Sequence, residues 1–165
     1  MSLILGTESG IIRDGDLPGP HGFFWGFIAL EYYALIANRV LAILETSHHV
    51  IVIRVGGLVV APLHLTNAWY EPRFYVSDSL LAKYAPVAAE SAEVLKVSRA
   101  NRRIALSGIT VVTFTTRPKW GMGSVPYSGR IIIATAASTR EFILLGNQRG
   151  EELAAKLNSA SAMAR

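Results

Sequence analysis

The chain contains no cysteine, which excludes disulfides and thiolate chemistry outright. Two other side chains are scarce. Lys83, Lys96, Lys119 and Lys156 are the only lysines, and Gln148 is the only glutamine. Arginine therefore carries most of the positive charge, a balance that fits a heat-adapted (thermophile) source. Charged residues make up only 17% of the chain and hydrophobic residues 51%. That composition excludes a disordered segment and demands a large core, a buried homo-oligomer interface or a membrane-touching face. The net charge of +4 is compatible with anionic partners, but it is too small and too dispersed for a nucleic-acid binder.

The catalytic signatures are missing as well. No Gly-x-Ser-x-Gly elbow occurs; Ser107-Gly108 lacks the leading glycine. The Gly121 and Gly123 pair is too short for a nucleotide fingerprint, which needs a strand-to-helix setting. Asp14 and Asp16 lie in a Gly- and Pro-rich stretch and Glu31 is isolated, so no carboxylate pair is positioned for acid–base work. The first residues lack the basic start of a signal peptide, which sets a cytoplasmic expectation.

What is present reads as one domain. At 165 residues a chain buries about two thirds of its unfolded surface and needs no staple. Residues 1–22 predict an arm or loop, and residues 23–165 a single α+β domain. The stretch 23–44 is the most apolar and leaves two readings open. Glu31, Asn38 and Glu45 recur every seven residues, which on a helix gives one wet stripe on a buried or membrane-lying element. The same stretch also divides into strands 27–37 and 40–45 about a turn at Asn38-Arg39. Further on, residues 50–55 and 58–64 flank Gly56-Gly57, a hairpin signal. Residues 73–76 suggest a short strand, and Ser77 or Asp78 a cap. Pro86 favours a short helix, while 94–97 alternates like a strand. Residues 104–106 and 109–114 are strand material, with a bend at Ser107-Gly108. Two more strands cover 130–135 and 140–145. Asn147 predicts the N-cap of a closing helix with Leu153, Leu157 and Ala160 on one face.

The strand 109–114, the Gly-rich loop after it, the hairpin 130–135 with 141–145 and the helix 147–160 together resemble the pleckstrin-homology-like (PH-like) fold, in its short bacterial and archaeal form. The resemblance implies a bent antiparallel barrel closed by a C-terminal amphipathic helix, covering about residues 40–163, with the N-terminal part as an embellishment. It also implies that strand-connecting loops bind ligands.

The loop 117–130 is the leading site. It combines Arg117, Lys119, Trp120, Tyr127 and Arg130 with the pliable Gly121, Gly123, Pro126 and Gly129. Basic and aromatic groups with exposed amides can hold a phosphate or carboxylate; the plain structural alternative folds Trp120 back as a packing anchor. Arg99, Arg102 and Arg103 form a second basic run, either a grip on an anionic surface or a solvated turn. His48, His49 and His64 with Glu45 have some of the chemistry of a zinc site, but adjacent strand residues face opposite ways, so no metal and no cofactor are expected. The reading is a non-catalytic domain that binds a protein partner or an anionic group near 117–130. The alternatives are a small enzyme with a pocket in the sheet and a histidine base, and a structural protein that self-associates through 23–44.

Overall fold

The structure of the protein, a computed structural model, describes residues 11–34, 37–60, 71–122 and 125–165. Its framework is a seven-stranded antiparallel sheet of β1 (Trp25–Ala34), β2 (Ala37–Glu45), β3 (His49–Val60), β4 (Arg102–Ala105), β5 (Ile109–Thr115), β6 (Tyr127–Thr135) and β7 (Thr139–Leu145), in the order β4-β3-β2-β1-β7-β6-β5. Strands β4 and β5 occupy the two edges, yet only the 3-10 turn Leu106–Gly108 separates them in sequence. So short a link can join opposite edges only if the sheet curls round to bring them together. It does, forming a half-barrel. Two one-turn helices, α1 (Asp78–Leu81) and α2 (Glu93–Val97), lie in the long β3–β4 connection, and α3 (Gly150–Met163) closes the chain.

The apolar composition follows from burial on both sheet faces. Inside the curl, Phe27, Leu41, Ile43, Val52, Ile131, Ile133, Phe142 and Leu144 pack against Leu153 and Leu157 of α3. Both helix leucines are fully buried, each stabilising the closure by roughly 1.5–3 kcal/mol. On the outer face of β1–β3, Ile28, Leu30, Val40, Ala42, Ile51 and Ile53 pack against Leu81, Tyr84 and Val94 of the β3–β4 connection. Strands covered on both sides read as continuous apolar runs, as β1–β3 do. The closing helix over an antiparallel curved sheet, expected from the 3.6-residue spacing of its leucines, is what the fold contains.

The stretch 23–44 forms strands, with Glu31 paired to Arg39 and Ala34 to Ala37. The reversal therefore comes earlier than Asn38-Arg39, and the helical reading is overturned. None of the described helices is long and apolar enough to cross a membrane.

The Gly56-Gly57 hairpin is also corrected. Both glycines lie inside β3, whose pairing steps from Leu41–Arg54 to Arg39–Leu58, so that Val55 to Gly57 stand opposite Val40 alone. A Cβ on Gly56 would come within 2.3 Å of the Tyr75 carbonyl and 2.7 Å of Val40. The glycine is there for close approach and makes a bulge rather than a turn. Residues 61–64, and His64 with them, lie outside the described residues.

Residues 73–76 contribute to a 3-10 turn starting at Pro72 rather than to a strand. The short helix falls on Glu93–Val97, after Pro86 rather than at it, where buried Val94 and the Asn101 amide, which donates to the Val94 carbonyl at 2.6 Å, hold it. Ser77 does cap α1, accepting from the Leu80 amide. Asn147 does not cap α3, which begins at Gly150 with Arg149 before it. Gly150 lies flat against the Phe114 ring, where a Cβ would come within 2.0 Å, so the helix starts where that ring lets it. Residues 11–22 are a packed loop: Ile12 and Gly26 exchange two backbone hydrogen bonds of 2.8 Å.

Candidate functional site

The segment between β5 and β6 leaves the sheet at Thr116 and returns at Tyr127. Its base is fixed. The Tyr127 hydroxyl accepts from the Lys119 amide at 2.9 Å, Met122 and Val125 are buried in the outer core, and Gly146 donates to the Pro126 carbonyl at 2.9 Å. Gly121 sits at φ 85°, a left-handed conformation that suits glycine. Residues 123 and 124 lie outside the described residues.

The five residues expected to form a site divide into two groups. Lys119 Nζ and Arg130 Nη1 both bond the Glu141 carboxylate, one to each oxygen. Burial pushes the Glu141 carboxyl up, but the hydrogen bonds and charges of Lys119 and Arg130 outweigh it and hold it below the ordinary value. Together with Tyr127 these residues form a clamp under the loop. Arg117 and Trp120 are left outside it, and Trp120 is 77% exposed. Folding back as a packing anchor, the plain structural alternative for Trp120, does not occur. Tyr32 of β1, 44% exposed, has its ring centroid 5.7 Å from Lys119 Nζ and adds a second aromatic surface beside the clamp.

Glu141 and Tyr32 were not legible as site residues. Glu141 had a signal: with Ala134 opposite Thr139, Arg130 pairs with Ile143 and lies diagonal to Glu141 on the same face. Tyr32 had none, because β1 reaches the loop only through the β1–β7 pairing that curls the sheet.

His48 and His49 are tied into the β2–β3 turn. His49 Nδ1 lies 2.8 Å from Glu90 Oε2, and the other Glu90 oxygen accepts from the Thr46 hydroxyl and from the His48 amide at 3.2 Å. Burial raises the Glu90 carboxyl, but these donors and the His49 charge together hold it low. The carboxylate ties the β3–β4 connection to the β2–β3 turn. No cluster of metal-ligating side chains is present among the described residues. The inner core is packed with Phe27, Ile131, Phe142 and Leu153, all fully buried, while His48, His49 and Ser107 line an open cleft of about 420 Å³ at the β2–β3 turn.

The basic run splits across β4. Arg103 faces outward and donates to the carbonyls of Glu90 and Ser91 at 2.8 and 2.9 Å. Arg102 faces inward, beside Val52. Arg99 is exposed in the preceding turn.

The fold and the site define a curled antiparallel α+β domain with an exposed tryptophan on a clamped loop. In comparisons with known proteins, no family model, no curated protein and no solved structure matches the chain.

Proposed function

We propose that the protein is a non-catalytic interaction module of PH-like architecture that engages a protein partner through the 117–130 loop, with Trp120 as the anchor. The curled seven-stranded sheet with a C-terminal helix is compatible with that architecture. The observation that carries the reading is the 77% exposure of Trp120 on a loop whose flanks are pinned by Glu141, Lys119 and Tyr127. An exposed tryptophan on a rigid support loses little conformational freedom on binding. Such residues supply the buried anchors of interfaces.

Lys119 and Arg130 are both engaged by Glu141, which leaves the exposed Trp120 as the free contact surface of the loop. Arg117 and Tyr32 would then rim the contact.

The test is a random peptide library selected on the wild-type protein and counter-selected on Trp120→Ala. Peptides that bind the first and not the second support the reading. Peptides that bind both equally remove Trp120 from it. A blue shift of tryptophan emission with phosphatidylglycerol vesicles, absent in Trp120→Ala, would replace the protein partner with an anionic membrane surface.

A further inference from the structure

Between β4 and the end of the β6–β7 hairpin lies a cleft of about 330 Å³, lined by Arg102, Ile104 and Gly108 on one side and Thr135, Ser138 and Arg140 on the other. We infer that this cleft binds a phosphate group, free or carried on a small organic molecule.

The charges argue for an anion. Arg102 stands across from Val52 and Arg140 across from Ile133. Val52 and Ile133 belong to the inner core, so both guanidinium stems lie on the concave side. Arg140 Nη1 reaches Glu31 at 3.0 Å, but that carboxylate is shared with Arg39 Nη2 at 3.8 Å. Arg102 has no acidic partner among the described residues, and its Nε is buried with no hydrogen-bond partner. Arg102 lines the cleft, and a cation without an acidic partner in a confined space favours an anion beside it. The cleft therefore places the Arg102 charge opposite Arg140 between low-dielectric walls, which focus its field.

The shape argues for phosphate over a simple carboxylate. Two guanidinium groups approaching from opposite walls match a dianion with several acceptor oxygens. Gly108 and the hydroxyl-bearing Thr135–Ser138 turn sit on the rim. The cleft is far larger than a carboxylate needs and leaves room for the group that carries the phosphate.

This site is separate from Trp120, so it stands or falls independently of the partner-binding reading. The test is calorimetric titration of the full chain with inorganic phosphate, O-phospho-L-serine and acetate, alongside backbone amide shifts from nuclear magnetic resonance. Phosphate should bind and shift the amides of Gly108 and Ser138, acetate should not, and Arg102→Gln should weaken binding by about tenfold or more. Arg99→Gln removes an equal charge from the exposed turn and should leave affinity unchanged. Tighter binding of phosphoserine than of phosphate identifies an organic phosphate as the ligand; equal binding identifies the free ion. Equal losses in Arg102→Gln and Arg99→Gln, or shifts confined to residues 117–121, would overturn the inference. The wild-type shift map decides the matter even if Arg102→Gln does not fold.

Discussion

The Asn158 side chain occupies both backbone groups of Val112: it accepts from the Val112 amide at 2.9 Å and donates to the Val112 carbonyl at 2.7 Å. Ser161 adds a hydrogen bond to the Ile109 carbonyl at 3.1 Å, and Arg165 another at 2.6 Å. Helix α3 therefore does two things. Its leucines fill the curl, and its polar side chains cap the edge of β5. An uncapped edge is a template for pairing with another strand. Asn158→Ala should cost about 1–2 kcal/mol, since two buried backbone groups lose their partner. It should also raise concentration-dependent association, read by light scattering against the wild type. Unchanged melting and unchanged scattering would show that the edge needs no cap.

Gly129 and Gly150 both lie against the Phe114 ring, where added Cβ atoms would come within 2.5 and 2.0 Å. Gly150 opens α3, and alanine is ordinarily the better helix former. Here the clash should dominate, so Gly150→Ala should destabilise by about 1–3 kcal/mol. Phe114→Leu in the same chain should recover part of that loss. A stabilising Gly150→Ala would show that the ring moves freely aside.

The only glutamine is a buried pin. The Gln148 amide donates to the Ile28 carbonyl at 2.6 Å and to the Leu145 carbonyl at 2.8 Å, tying the end of β7 to β1. Gln148→Leu should leave both carbonyls without that donor and lower stability by about 1–3 kcal/mol by denaturant melt. A neutral result would mean that water replaces the side chain.

Acid should weaken the loop clamp. Glu141 is held below its ordinary value of 4.5 in the folded protein, and in the unfolded chain it returns to that value. The stability it contributes is therefore fully present above about pH 4.5 and is lost as pH falls through the lower folded value. Glu90 is shifted in the same direction and adds to the slope. Glu141→Gln should be less stable near neutral pH by about 1–2 kcal/mol and show a shallower acid limb in melts across the range. An unchanged limb would show that the clamp contributes nothing to stability.

Local patterns carried much of this architecture. The 3.6-residue spacing of Leu153 and Leu157 and the small turn before Thr139 reveal the closing helix and the last hairpin, because both are settled within a few residues. What depends on the curl was not legible. Gly56-Gly57 has the chemistry of a turn, but the approach of Tyr75 and Val40 makes it a bulge. Residues 94–97 alternate like a strand, but Asn101 and the outer core hold them helical. In the loop, Trp120 and its neighbours could be picked out by composition. The pairing of Glu141 with Lys119 and Arg130 could be seen only through hairpin register, and the nearness of Tyr32 only through the β1–β7 pairing.

Trp120 is an anchor rather than a bystander if partner binding depends on it. The direct measurement is the affinity of a library-selected peptide for the wild-type protein and for Trp120→Ala, with thermal melts of both. An anchoring tryptophan predicts a loss of about thirtyfold or more, near 2 kcal/mol, with melting unchanged because the side chain is 77% exposed. Equal affinities with equal melts would contradict it.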